Sequence, residues 1–224
     1  MFRNFSIGTR LAATFGLLGA IVLGLGVFAL MRLDGVVTQL DAITDHQVPA
    51  VDNVNELDRE FLRVRVHAAN VATYMDDSTR LNVYLDKYAD ARSSLDRNLA
   101  EYEEFIERDE VANRFKKLKS LLDEYWQHDE QFLKLVKAQL DEPVASLREN
   151  TVLPLTDKIS GVLDDLLAQE MKQIDTVSDQ ARDIASTAKI GVITAIIIAL
   201  ILVTVFAFLL TRSIVTPLRG AVKF

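Results

Sequence analysis

The chain has 224 residues, room for about one soluble domain beside membrane segments. Half of it is apolar and a quarter charged, and the two kinds are segregated: all 32 Asp and Glu, with 20 of the 25 Lys and Arg, lie between Arg32 and Lys189, which leaves that stretch at −12. Such a surface repels phosphate backbones, which excludes nucleic acid as a partner, and without Cys the core holds by packing alone.

Residues 1–10 lead into an uncharged run, Leu11–Met31, and a second such run covers Ile190–Leu210. Each has 21 residues and as a helix reaches about 32 Å at ~1.5 Å per residue, enough to cross a bilayer core. The first run is longer than the apolar part of a secretory signal, and no small-x-small cleavage site follows it, so it reads as a retained span. Arg3 and Arg10 precede it, while Arg212, Arg219 and Lys223 follow the second run with no acid among them. The positive-inside rule then puts both termini in the cytoplasm and residues 32–189 outside it, in a multi-pass protein of the cytoplasmic (inner) membrane. Ala12, Gly16, Ala20 and Gly24 recur every fourth residue, a stripe along which two helices can approach closely, as in a homodimer. Ordinary glycine content accounts for it equally well, since Gly19 and Gly26 lie off the stripe. Gly24-Leu25-Gly26 has the look of a dinucleotide turn, but it sits within a span, and no cofactor is expected.

Between the spans, apolar residues fall at three- and four-residue spacing, which predicts helices throughout and no strand. The first runs from about Asp34 to Met75, with Val37, Leu40, Ile43, Val54, Leu57, Phe61 and Val64 inward and a kink at Pro49. Asp76-Asp77-Ser78 supplies capping chemistry for a second, with Leu81, Tyr84, Tyr88, Leu95, Leu99, Tyr102 and Ile106 on its stripe. A break near residues 108–110 leads to a third, with Phe115, Leu118, Leu122, Tyr125, Phe132 and Val136. The turn at Leu140–Pro143 opens a fourth, carrying Leu147, Leu155, Ile159, Val162, Leu166, Ile174, Val177, Ala181 and Ile184 into the second span without a breaker. Four helices with short turns predict an all-α fold: an antiparallel up-down-up-down four-helix bundle between two transmembrane helices, the even number returning the chain to its membrane.

Directly after the second span, Thr211-Arg-Ser-Ile-Val-Thr-Pro-Leu-Arg-Gly-Ala-Val-Lys resembles the first helix of a HAMP linker, with Pro217 at the family's proline position. Residues 211–224 thus read as the start of such a linker, its connector and second helix absent. With looser matches at Val48-Pro-Ala-Val, at Leu57–Arg65 and at Ala145–Pro154, nearly the whole chain resembles bacterial methyl-accepting chemotaxis receptors of the four-helix-bundle sensor class. The resemblance implies a homodimer whose first helices pair, a small-molecule ligand bound at the membrane-distal part of the bundle, and a signal passed through the second span and Pro217. In a full-length form it implies the chemotaxis kinase and its adaptor as partners. The same module also serves histidine kinases and nucleotide cyclases, and a ligandless heteromeric membrane protein is a third reading.

Enzyme chemistry has thin support. His46, His67 and His128 fall on different segments without metal-ligand spacing, so no metal is expected, and adjacent acids such as Asp164-Asp165 diverge by about 100° around a helix. Trp126 and the tyrosines mostly follow the apolar stripe and read as core, with Trp126 also able to close over a ligand. The outlier is Arg59, Arg63 and Arg65, three guanidinium groups in an acidic domain. Arg59 and Arg63 share a helix face that continues to Asn70 and Thr73, and with Thr156 from the fourth helix these residues form the candidate ligand site, suited to a carboxylate. A solvated face paired with Glu56, Asp58 and Glu60 is the competing reading.

Overall fold

The computed structural model describes residues 7–221 of the chain. In order, the elements are α1 (Ile7–Ala42), a π-helical turn (Ile43–Gln47), α2 (Val48–Thr73), α3 (Ser78–Glu103), α4 (Asp109–Lys137), the short α5 (Asp141–Leu147), a second π-helical turn (Arg148–Val152) and α6 (Leu153–Ala221). They form two compact units, one spanning Asp41–Val177, the other built from the described residues up to Leu40 and from Ser178 on.

The Asp41–Val177 unit is an antiparallel up-down-up-down bundle whose four members are α2, α3, α4 and the run from α5 into α6. Its helices end where the sequence supplies stops. Tyr74–Asp77 connects α2 to α3, and the Asp77 carboxylate accepts hydrogen bonds from the Thr79 and Arg80 amides, both 3.1 Å, satisfying two otherwise orphaned N–H groups. Asp77→Ala should therefore cost about 1 kcal/mol, read as a lowered melting temperature. At the end of α4 the chain reverses through Gln139, whose φ of 53° is left-handed, while Leu140 N–H donates back to Leu135 at 3.2 Å.

The core is the set of stripes the spacing predicts. Val54, Leu57, Phe61 and Val64 of α2, Leu95 and Tyr102 of α3, Phe115, Leu118 and Leu122 of α4, and Ile159 and Leu166 of α6 are all buried in one cluster. Phe61 meets Tyr125 edge to face at 5.4 Å, and Tyr102 meets Phe115 in the same way at 5.4 Å. Trp126 is half-buried, with the Arg92 guanidinium 4.3 Å above its ring.

The prolines act by widening a turn. Proline has no N–H and its ring collides with the carbonyl four residues back, so an unbroken α-helix across Pro49 or Pro154 is disfavoured. Both π-helical turns end two residues before a proline. Val48 N–H reaches back to the carbonyl of Ile43 and Leu153 N–H to that of Arg148, i to i−5 bonds that move the backbone aside. The kink expected at Pro49 is thus a wide turn, and a second one stands before Pro154 where the apolar pattern predicts none.

In the other unit, α1 and the later part of α6 pack closely: a methyl group on Gly191 would come within 2.9 Å of the Phe28 ring, and one on Gly35 would touch Ile184 at 3.6 Å. Both segments are long and apolar enough to cross a membrane, and their apolar windows are not buried inside the protein. Ala12, Gly16, Ala20 and Gly24 lie on the exposed side of α1, and a methyl group added at Gly16 or Gly24 would meet nothing. Val37 and Leu40, expected inward, are 44% and 52% exposed. Two helices alone cover only a narrow face of each other, whereas the predicted stripe assumed four. Arg3 and Lys223 lie outside the described residues, as do the side chains of Arg10, Pro217 and Arg219.

Candidate functional site

Within the bundle, a cavity of about 220 Å³ opens between the first, third and fourth members. Leu62, Arg65, Val66 and Ala69 line it from α2, at the three- and four-residue steps that share a helix face. Tyr125, Asp129 and Phe132 of α4 line it at the same steps, opposite Arg148, Val152, Leu153 and Thr156. Arg148 and Val152 are the two ends of the second π-helical turn, so the distortion caused by Pro154 shapes one wall of the cavity.

The sequence-predicted site residues separate here. Arg59 is paired with Glu56, and Arg63 donates to the buried Glu60 at 2.6 Å, so both are engaged on their own helix and neither lines the cavity. Asn70 and Thr73 do not line it either, and the Thr73 hydroxyl donates to the Ala69 carbonyl at 2.9 Å. Arg65 and Thr156 do line it; the Thr156 hydroxyl is turned to the Val152 carbonyl at 2.8 Å.

Of the nine arginines in the Asp41–Val177 unit, Arg59, Arg63, Arg80, Arg97, Arg108 and Arg114 have carboxylate partners. Arg92 lies over Trp126. Among the described residues Arg65 and Arg148 form no ion pair, Arg65 resting 6.0 Å from the Phe61 ring, and both line the same cavity. Two uncompensated guanidinium groups facing one space are equipped to hold an anion.

Sequence reasoning missed Arg148 and Asp129. The first is invisible without knowing which faces of the first and fourth members meet. The second carries a signal in the pattern itself, because Leu122, Tyr125, Asp129, Phe132 and Val136 step by three and four, which puts a carboxylate at a core position. Asp129 is indeed buried, and desolvation holds its carboxyl above the ordinary range, against the pull of Tyr88 and Arg92. Desolvation likewise raises the neighbouring Tyr88 and Tyr125 phenols, with Asp129 adding to it.

A second polar cluster holds the bundle elsewhere. Glu170 of α6 is buried and accepts from the Tyr102 hydroxyl at 2.9 Å and from Arg108 at 2.7 Å. Nearby, His46 Nε2 lies 2.7 Å from Glu107 Oε1. His67 is half-buried, and burial, aided by Lys87 and Arg63, lowers its pKa. Among the described residues no group of three or more His, Asp or Glu is placed to hold a metal ion.

The bundle holds a small side-chain-lined cavity, and the chain carries two helices apolar enough to cross a membrane. Residues 4–185 match the family described as a four helix bundle sensory module for signal transduction. The chain belongs to that family, the sensor class its sequence resembles. No curated protein and no solved structure gives a significant match.

Proposed function

We propose that this chain is the sensing part of a transmembrane chemoreceptor that takes up a small extracytoplasmic carboxylate in the cavity between the first, third and fourth members of its bundle. The observation that carries this reading is the convergence of Arg65 and Arg148, without ion-pair partners among the described residues, on one cavity of a strongly acidic domain. Their planar donor forks match a carboxylate, and against the surrounding negative field they create a local positive potential. Thr156 lines the same wall, whereas Arg59 and Arg63 serve the acids on their own helix.

The wider arrangement follows the sequence. Spans at 11–31 and 190–210 bracket the sensor domain, with both termini cytoplasmic because the flanking charges are Arg and Lys. A homodimer uses the exposed stripe of Ala12, Gly16, Ala20 and Gly24, and α6 hands the signal to the HAMP start around Pro217 and on to a chemotaxis kinase and its adaptor.

The test is a thermal-shift screen of small carboxylates on the full chain in detergent micelles. A ligand at a hundredfold excess over its Kd should stabilise the bundle by about 2.7 kcal/mol. Arg65→Ala and Arg148→Ala should each weaken a carboxylate hit at least about tenfold, about 1.4 kcal/mol. A hit whose affinity survives both changes within twofold binds elsewhere and ends this reading.

A further inference from the structure

We infer that the contact between His46 and Glu107 is a proton-operated latch, through which the bundle responds to the pH of the compartment it faces. The device goes beyond solute sensing and does not depend on the cavity.

His46 belongs to the first π-helical turn, and Glu107 to the connection at 104–108 between α3 and α4. Their contact, Nε2 to Oε1 at 2.7 Å, ties the first member of the bundle to that connection across 61 positions of sequence. The Phe105 ring meets the imidazole edge to face at 6.0 Å and steadies its plane. Imidazole is the side chain whose charge ordinarily changes between about pH 5 and 8, whereas a glutamate in solvent stays charged across that range. The same contact is therefore an ion pair at the acid end and a hydrogen bond to a neutral ring at the other, and the charged form is the stronger. With 42% and 66% of the two side chains exposed, the proton comes directly from solvent.

The charged groups around the pair leave it free to act. Asp45 precedes His46 on its own turn. Arg108, at the N-cap of α4, and Glu170 of α6 line the same small space as His46 but hold each other at 2.7 Å, and Gln47 and Gln173 beside them are neutral. The other histidines are placed differently. His67 faces Lys87 and Arg63, which oppose its protonation, and among the described residues neither it nor His128 forms an ion pair. Successive residues of one connection thus hold two members of the bundle: Glu107 grips the first, Arg108 the fourth. Deprotonation of His46 weakens one grip and leaves the other, so the π-helical turn loosens while the connection stays on α6.

A double-mutant cycle on the full chain in micelles tests this, with wild type, His46→Gln, Glu107→Gln and the double variant melted at about pH 5.5 and about pH 8. The coupling between the two positions should be about 1–2 °C in melting temperature at the lower pH and near zero at the higher, the size expected of an exposed pair. Hydrogen exchange of the wild type gives a second measurement. After correction for the intrinsic effect of pH, amides at 43–48 should exchange at least about threefold faster at the higher pH, and Glu107→Gln should abolish that difference. Coupling that is equal at the two pH values or absent at both overturns the inference. Exchange at 43–48 that does not change with pH, or a change that survives Glu107→Gln, overturns it as well.

Discussion

Phe61→Ala is expected to cost the bundle about 3–5 kcal/mol and to lower its melting temperature by roughly 10 °C or more. Phe61 is 1% exposed, sits among the residues of the main cluster and holds the Tyr125 ring edge to face at 5.4 Å. Truncation removes a large apolar side chain and leaves a void that neighbours on several helices cannot all close. Because Tyr125 also lines the cavity proposed to take the ligand, any ligand-induced stabilisation should shrink along with the melting temperature. Loss of helical circular dichroism on heating the chain in micelles would measure it. A decrease under about 1 kcal/mol, as for a freely collapsing site, would contradict the packing described.

Glu170→Ala should be nearly as damaging, at about 3 kcal/mol, the low end for a broken buried ion pair because Arg108 keeps 33% of its side chain in solvent. The change strands two donors. Tyr102 is fully buried and its phenol stays protonated, since desolvation and the Glu170 charge both raise its pKa, and the change removes the acceptor of its hydroxyl. Tyr102→Phe removes one donor and leaves the Glu170–Arg108 pair at 2.7 Å, so it should cost only about 1 kcal/mol. The comparison of the two melting curves is the informative measurement. Equal costs would mean that the ion pair contributes nothing beyond the tyrosine's hydrogen bond.

How much of this was legible in the sequence depends on which physical signal carried it. The stripes of α2, α3 and α4 could be read directly, because each helix keeps one phase and buries one face; Leu57, Phe61, Leu95, Leu118 and Leu122 are where the spacing puts them. Asp77 as a cap was equally readable from local chemistry. The site was half-readable. Arg65 stood out as a cation in an acidic domain, but sequence proximity grouped it with Arg59 and Arg63, whose partners Glu56 and Glu60 lie one turn away on the same helix. What separates them is the face each occupies toward other helices. Arg148 lies far along the chain and joins Arg65 only through tertiary packing. Asp129 and Glu170, acids in core phase, were the strongest unused signals, since each is buried and each sits in step with apolar neighbours.

The wide turn at Arg148–Val152 has a consequence for anyone editing the gene. A π-helical turn spends one residue more than an α-helical turn, so the segments on its two sides are offset by one position from the count an uninterrupted helix would give. Removing a single codon from this stretch, together with Pro154→Ala to lift the steric cause, should let α5 and α6 fuse into one ordinary helix while Val144 and Leu155 keep their inward faces. The same one-codon deletion a few turns later, around Ile159–Leu166, has no surplus residue to absorb and would rotate every later side chain by about 100°. The reading frame of the helix, as distinct from that of the gene, is thus forgiving at one place on this helix and strict in the next.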